Sequence, residues 1–312
     1  MTITSTVLSI HCLTAVNRII PATSAACKGR QVLAGGAQNG NVDRTMTDSP
    51  PRRNIKLVVA YNGAAYHGWQ RQAEGIDTVQ ARIEDAAGAV LRHKVVVLGA
   101  GRTDAGVHAA GQVANFYTSN LAVPLRGLRR AMNSRLPADV AVVSAAPVPE
   151  GFHASRSAVG KTYRYRIYVP PARPPALAAQ VYHCWRPLDV EVMRAAALRL
   201  LGRHDFVGFA TSADQRDNTV RTVFRCDVAE AGTEVLVTVQ GDGFLYNMVR
   251  NIVGTLIEIG RGRWGPERID RVLATRDRRE AGPTAPPDGL YLVCVHYRSE
   301  DLLVPRNGTR QG

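Results

Sequence analysis

One order of predicted secondary structure occurs twice along this chain: a strand, a helix and then two strands. Apolar residues at helical spacing predict the helices, and short runs rich in β-branched and aromatic residues predict the strands. The first unit has these elements at 55–61, 78–91, 95–98 and 112–116. The second has them at 162–169, 190–201, 222–228 and 234–240. Two such units predict an α+β fold of two related β-α-β-β halves with a largely antiparallel sheet.

Two more helices are predicted after the second unit. A long apolar pattern over 244–259 ends at Gly260, and a charged pattern over 266–278 begins with Pro266. Glycine often follows the last turn of a helix, and proline fits the first helical position, because its missing N–H would have no intrahelical partner there. The second half is therefore expected to carry more helix than the first.

Composition and periodicity divide the chain into four segments. Residues 1–53 show no sustained periodicity and are interpreted as a disordered extension. Two other interpretations stay open: Met46 is the true start, or the segment is a transit peptide. The folded part is predicted to comprise an N-terminal subdomain over 54–148 and a C-terminal subdomain over 149–300, followed by a tail over 301–312.

The charge balance favours a polyanionic partner. The chain has 39 Lys and Arg against 26 Asp and Glu, which gives a formal net charge of +13, and only four of these cations are Lys. Arginine binds phosphates with two hydrogen bonds and stacks on bases, so nucleic acid is favoured over a membrane surface.

The five cysteines form no CxxC pair, which predicts neither a zinc site nor a disulfide framework. No apolar run is long enough to span a bilayer, and a cytoplasmic location is expected.

Asp104 is the first candidate for chemistry. It follows a predicted strand and lies among Gly101, Gly106 and Gly111, which allow a tightly bent loop that presents the carboxylate outward. Asp in a glycine-rich loop also commonly caps a turn, and both interpretations remain open at this point. The loop lacks the third glycine of a dinucleotide fingerprint, and no Walker, HExxH or GxSxG sequence is present.

Arg250 is the second candidate. It lies at the margin of the apolar face of the helix predicted over 244–259. A guanidinium beside a buried stripe needs a carboxylate partner, or its loss of hydration is uncompensated. The alternative is an arginine at the helix edge whose charged end reaches solvent. The sequence pattern alone does not identify a partner.

Three basic segments could contact RNA. In the run 161–168, Tyr163 and Tyr165 alternate with Arg164 and Arg166, which suits base stacking and backbone contact but equally a half-buried strand with a charged outer face. Two arginine-rich segments also have two interpretations, since each could bind phosphates or form a solvated helix face. They comprise Arg126, Arg129, Arg130 and Arg135, and the arginines between residues 261 and 279.

Taken together, these stretches resemble the tRNA pseudouridine synthase A family along nearly the whole folded chain. The most specific segment is the run Gly101-Arg102-Thr103-Asp104-Ala105-Gly106-Val107-His108. The segments that carry the resemblance, in order, are 61–63 with 66–72, 100–113, 151–154, 163–165, 244–254 and 289–292. Their number and order raise Asp104 from one carboxylate in a turn to the expected catalytic residue.

The resemblance implies a pseudouridine synthase fold with a catalytic cleft between the halves. It also implies an isomerase that converts uridine to pseudouridine at positions 38 to 40 of the tRNA anticodon stem-loop, as a homodimer, without metal or organic cofactor. By match, Asp104 is the catalytic carboxylate, Arg250 pairs with it, Tyr163 stacks on the target base, and Arg102 contacts RNA and holds the extruded nucleotide. A neighbouring arginine is expected to lower the pKa of Asp104 and keep it ionised.

One departure from the family and two rival functions complete the expectations. The family often has Arg directly after His-Ala in the third block, whereas Ser155 stands there and Arg156 follows as a candidate replacement. A non-catalytic RNA-binding protein of the same fold would not need Asp104. An N-glycosidase would also place a carboxylate at an anomeric carbon, but it would release free uracil.

Overall fold

The computed structural model describes residues 51–211 and 217–302 as a mixed α+β structure built on one sheet. Met46, most of the predicted extension and the last ten residues of the predicted tail lie outside the described residues. None of the helices in the described ranges combines the length and the apolar composition needed to cross a bilayer.

Ten strands of the described residues form the sheet. They are β1 (Arg53–Tyr61), β2 (Leu98–Gly99), β3 (His108–Thr118), β4 (Val140–Val148), β5 (Gly160–Tyr168), β6 (Tyr182–His183), β7 (Gly202–Asp205), β8 (Val220–Ala231), β9 (Glu234–Gly241) and β10 (Leu290–His296). Their spatial order is β4-β1-β3-β10-β5-β9-β8-β7, with β2 beside β3 and β6 beside β5. Only β10–β3 and β5–β6 are parallel pairs among the strands of the described ranges. The predicted α+β class with a largely antiparallel sheet is confirmed.

Five helices of the described residues accompany the sheet: α1 (Val79–Leu91), α2 (Leu125–Asn133), α3 (Val190–Leu198), α4 (Met248–Gly260) and α5 (Arg268–Thr275). Thr78 is the N-cap of α1, and its side-chain oxygen accepts a hydrogen bond from Ala81 N. Asp189 caps α3 in the same way through Val192 N. Each helix buries apolar side chains in the common core.

Strand β10 joins the two halves. It pairs in parallel with β3 of the first half, where Tyr291 lies opposite His108. On its other edge it pairs antiparallel with β5 of the second half, where Leu292 lies opposite Tyr163. β10 is the last strand of the described residues, so the chain returns to the centre of the sheet after the other nine strands, and the two units share one continuous sheet.

Four predicted elements need correction. Residues 95–97 are not a strand, because side chains of α1 bond their backbone: Glu84 Oε1 accepts from Val97 N at 2.9 Å, and Gln80 Nε2 donates to Val97 O at 3.0 Å. The helix predicted over 244–259 begins at Met248, since Asn247 has φ +59°. The helix predicted over 190–201 ends already at Leu198, and the helix predicted over 266–278 spans only Arg268–Thr275. Arg276, whose backbone is left-handed, ends the second of these helices.

Candidate active site

Asp104 lies in the loop between β2 and β3, and neighbouring segments fix the backbone of that loop. Gln112 Nε2, from a fully buried side chain of β3, donates to Gly101 O at 2.8 Å. Trp69 N donates to Thr103 O at 3.0 Å. These bonds hold the residues just before Asp104 without using its carboxylate.

Two glycines allow the tight geometry of this loop. Val107 N donates to Asp104 O at 3.1 Å, which closes a four-residue turn, and Gly106 within it has φ +79°. Gly68 has φ +91°, and a Cβ there would lie 2.6 Å from Thr103 O. The close approach of the two loops therefore requires glycine at position 68.

Arg250 reaches the carboxylate of Asp104 from α4. Its Nη1 lies 3.5 Å from Asp104 Oδ2, at the long end of a hydrogen bond. The same Nη1 donates to Asn247 Oδ1 at 2.9 Å, and Nε donates to Ala285 O at 2.7 Å. The Arg250 side chain is 16% exposed and that of Asp104 is 28% exposed, so the pair is partly shielded from solvent.

Burial and Arg250 act in opposite directions on Asp104. Burial raises the pKa of the carboxyl, whereas the charge of Arg250 and its hydrogen bond lower it, and the net direction is upward from the ordinary value. Arg250 therefore lowers this pKa as expected, but its effect is smaller than that of burial. Desolvation outweighs the pairing because the Arg250 guanidinium is shared with Ala285 and Asn247 and approaches Asp104 only to 3.5 Å.

Tyr163 lies on β5 beside the same cleft. Tyr163 is 8% exposed, and its ring packs edge to face against that of Phe244, with centroids 5.2 Å apart and an interplanar angle of 87°. Burial raises the pKa of its hydroxyl, with smaller contributions from Tyr61 and Asp104. Its neighbours on the strand have structural roles, since Tyr165 is fully buried and Arg166 pairs with Glu234 at 2.6 Å.

The cleft has a volume of about 770 Å³, which is within the usual range for ligand sites. Residues of both halves line it, among them Trp69, Arg102, Asp104, Ser155, Lys161, Tyr163, Phe244 and Arg250. Arg102 is exposed beside Asp104, as suits a contact with incoming RNA. Ser155 lines the cleft, whereas Arg156, its candidate substitute, is exposed but does not line it.

A segment over residues 281–289, which we call the strap, connects these components through its backbone. Among its carbonyls, Ala285 O accepts a hydrogen bond from Arg250, Pro286 O from Tyr165 at 2.7 Å, and Asp288 O from His108 at 3.1 Å. His108 Nδ1 accepts from Gly63 N, so its Nε2 carries the proton. A neutral, buried His108 is thus a structural link rather than a proton donor for the cleft.

The strap lies directly on α4. A Cβ on Gly254 would come within 1.7 Å of Pro283 O, so the contact requires glycine. Side chains of α4 add hydrogen bonds, because Thr255 Oγ1 accepts from Gly282 N at 2.8 Å and Asn251 Oδ1 accepts from Thr284 Oγ1 at 2.7 Å. The helix that carries Arg250 and the strap that holds its guanidinium therefore form one unit.

Sequence reasoning missed several parts of this site. Phe244 and Asn247 were assigned to a helix, but they belong to the loop before α4 and contact Tyr163 and Arg250. The strap had no predicted role beyond its final residues. Its signal in the sequence is the run 282–289, rich in glycine and proline, which does not favour an α-helix and must satisfy most of its carbonyls elsewhere.

Comparison with known proteins agrees with this fold. The family model described as tRNA pseudouridine synthase matches residues 57–155 and 196–298. The chain is 45% identical over 249 residues to the tRNA pseudouridine synthase A of Syntrophotalea carbinolica, covering 80% of this chain and 98% of the relative. It is 44% identical over 246 residues to tRNA pseudouridine synthase A 2 of Clostridium perfringens, covering 78% and 100%. For the tRNA pseudouridine synthase A of Pseudomonas aeruginosa, the identity is 44% over 252 residues, covering 81% and 88%.

These matches show that the chain is a pseudouridine synthase and belongs to the tRNA pseudouridine synthase family. Within that family, these three relatives carry the name tRNA pseudouridine synthase A. Both matched segments include residues of the cleft, whereas Lys161 and Tyr163 of its lining lie between the two segments.

Proposed function

We propose that this protein isomerises uridine to pseudouridine in tRNA, at positions 38 to 40 of the anticodon stem-loop. The observation that supports this most directly is the carboxylate of Asp104, set beside Arg250 in a cleft of nucleotide size. Family membership supports the same reaction. The protein is further proposed to act in the cytoplasm as a homodimer, without metal or organic cofactor.

Asp104 is the proposed catalytic residue. In the isomerisation, the bond from uracil N1 to ribose C1′ breaks, the uracil turns, and a bond forms from C5 to C1′. The hydrogen on C5 is released and N1 gains one, so the product is an isomer of the substrate. A carboxylate can assist by attacking, by stabilising positive charge on the sugar, or by accepting the proton, and each role requires its ionised form.

Arg250 is proposed to keep that ionised form accessible. Burial raises the pKa of Asp104, and the guanidinium opposes this shift. The strap fixes the guanidinium through Ala285 O, so its position does not depend on the substrate. Pairing of a partly buried carboxylate with a fixed cation makes it available near neutral pH.

Tyr163 and Arg102 are proposed to hold the target nucleotide. A uracil in a stem must leave its stack before its glycosidic bond can be reached, at a cost of a few kcal/mol. The ring of Tyr163, which packs against Phe244, offers a stacking surface that replaces the neighbouring bases of the stem. Arg102 lies two residues before Asp104 and is exposed, so it can contact a phosphate beside the extruded nucleotide.

The direct test compares the wild-type protein with Asp104→Asn on an unmodified tRNA transcript. Carbodiimide labelling and primer extension should detect pseudouridine with the wild type at one or more of positions 38 to 40. The variant should produce none while it still binds the transcript. Release of free uracil by the wild type would instead indicate an N-glycosidase, and binding without any product would indicate a non-catalytic RNA-binding protein.

A further inference from the structure

The two arginine-rich segments of the chain differ in their carboxylate partners. In the segment over 261–279, six arginines form ion pairs at 3.3 Å or less. The pairs are Arg261 and Arg263 with Glu258, Arg268 and Arg271 with Glu280, Arg276 with Asp205, and Arg279 with Asp277. Four carboxylates thus pair with six arginines, so this segment is partly neutralised by the protein itself.

The other segment is different and forms a surface that we call the α2 arginine face: Arg126, Arg129, Arg130 and Arg135. All four residues are exposed, and none pairs with a carboxylate anywhere in residues 51–211 or 217–302. Two of them donate to backbone carbonyls, Arg129 to Val143 O and Arg135 to Ala131 O. Four positive charges are therefore left without a counter-charge from the part of the chain that the structure describes.

The placement of these charges is unfavourable for α2 on its own. Arg126 lies three and four residues before Arg129 and Arg130, so like charges share one side of the helix and repel. Arg126 also stands in the first turn, where the helix dipole disfavours a cation, and that turn contains no acidic residue. A bound polyanion would remove both penalties.

α2 is nevertheless held firmly. Leu128 and Met132 are fully buried beneath it. The Asn133 side chain accepts from Val142 N at 2.7 Å and donates to Val142 O at 3.0 Å, which ties the end of the helix to β4. The arginines thus extend from a fixed support, so little ordering of the backbone is needed when they bind a ligand.

α2 and the cleft share one face of the sheet. In β4 the side chains of Val140 and Val142 are buried and Ala141 between them is exposed, so the helix covers the Val140 side. Val140 lies opposite Tyr61, whose hydroxyl forms a hydrogen bond with Thr103 in the loop that carries Asp104. From β4 to β5 there are four strand intervals, roughly 19 Å at the usual spacing. A nucleotide at Tyr163 on β5 therefore lies about that far from the strand that α2 covers, so a different part of the same RNA would contact α2.

We propose that the α2 arginine face binds the sugar-phosphate backbone of the tRNA substrate at a distance from the target nucleotide. This inference rests on the proposed function for the identity of the RNA. Arginine suits the task because its planar guanidinium donates two parallel hydrogen bonds to a phosphate. Such contacts carry no base specificity and hold the RNA in register while the target nucleotide occupies the cleft.

The test compares two triple variants that change the net charge equally. The test variant carries Arg126→Gln, Arg129→Gln and Arg130→Gln. The control carries Arg263→Gln, Arg271→Gln and Arg279→Gln, whose side chains are 64%, 61% and 90% exposed but paired with carboxylates. The Kd for an unmodified tRNA transcript is measured from about 50 to 200 mM salt, a range over which phosphate contacts weaken strongly.

For the test variant, Kd should rise about tenfold, and the slope of log K against log salt should become shallower by about 2 to 3. The rate at saturating tRNA should stay at the wild-type value, because the cleft is unchanged. The control should alter the slope by less than about one, since its arginines are already paired with carboxylates. The melting temperature of both variants verifies that they fold, and that of the test variant should not fall, because repulsion within α2 is relieved.

Equal effects of the two variants would mean that only overall charge matters and would overturn the proposal, as would an unchanged Kd in the test variant. A lower rate at saturating tRNA with unchanged Kd would also overturn it. Failure of the proposed function would look different: the wild type would form no pseudouridine, whereas the binding comparison needs no turnover.

Discussion

The two walls of the cleft hold their functional side chains in different ways. In the first half, the backbone around Asp104 is fixed by Gln112 and Trp69, and within the described residues the carboxylate itself bonds only Arg250. In the second half, the Arg250 guanidinium is itself a structural link, bonded to the strap through Ala285. The carboxylate can therefore be altered without loosening its loop, whereas changing the guanidinium also removes a bond that holds the strap.

The largest expected effect comes from Asp104→Asn. Activity should fall by about 10³-fold or more, as when a central catalytic group is removed. Stability should not fall at neutral pH. The pKa of Asp104 is raised in the folded protein, so the ionised carboxylate costs stability above that pKa, and the amide removes this cost. Pseudouridine assays and thermal melts check the two statements, and a melting temperature up by on the order of 1 °C is expected.

The pH dependence of the melting temperature provides the control for this variant. Because folding raises this pKa, the wild type should gain stability relative to Asp104→Asn as pH falls through it. A variant that unfolds well below the wild-type melting temperature would contradict the view that the loop is held without its carboxylate.

Gly254→Ala tests the opposite wall. The added Cβ would come within 1.7 Å of Pro283 O, so the strap must move away from α4. We expect a loss of about 3 kcal/mol in the free energy of unfolding, typical of overpacking, together with loss of most activity as Ala285 O leaves Arg250. Gly151→Ala is the matched control, because a Cβ there meets nothing within 4 Å. Equal stability of the two variants in chemical denaturation would show that the strap is not fixed by this contact.

How much of the fold could be predicted from the sequence depended on whether an element is set by local patterns or by distant partners. Short-range patterns located β1, α1, β8 and β9, because burial and periodicity coincide there. The strand predicted over 95–98 failed because Val97 is buried like a strand residue but bonds to side chains of α1. Strand β10 was missed although the run 290–296 is apolar, since its partners lie far away in the sequence.

The candidate site, like the fold, was predictable from the sequence only in part. Sequence context singled out Asp104 and Arg250, and the resemblance assigned roles to them, to Tyr163 and to Arg102. The structure places all four at one cleft. The strap could not be derived, because it acts through backbone carbonyls, which carry no residue-specific signal. The direction of the pKa shift of Asp104 also required the structure, since it depends on how burial compares with the distance to Arg250.

Arg250→Gln should reduce the rate by about 100-fold, comparable with the loss of one fixed electrostatic contact in an active site. What remains should show a distinctive pH profile. Arg250 opposes the effect of burial, so its removal raises the pKa of Asp104 further, and the acidic limb of the profile should move to higher pH. Rates measured from about pH 5 to 8 check this expectation, and an acidic limb at the wild-type position would separate Arg250 from the ionisation of Asp104.

The smallest effect is expected for Tyr163→Phe. No hydrogen bond joins the Tyr163 hydroxyl to any described residue, and burial raises its pKa, so it remains a neutral group at the pH of activity. If the ring serves as a stacking surface, the variant should retain the rate and KM within about threefold, because phenylalanine keeps both the ring and the contact with Phe244. Tyr163→Leu removes the ring and should raise KM by about tenfold, consistent with the loss of one base–aromatic stack. Equal losses in both variants would assign the chemistry to the hydroxyl, and Tyr163 would then belong with Asp104 among the reacting groups rather than with the groups that hold the base.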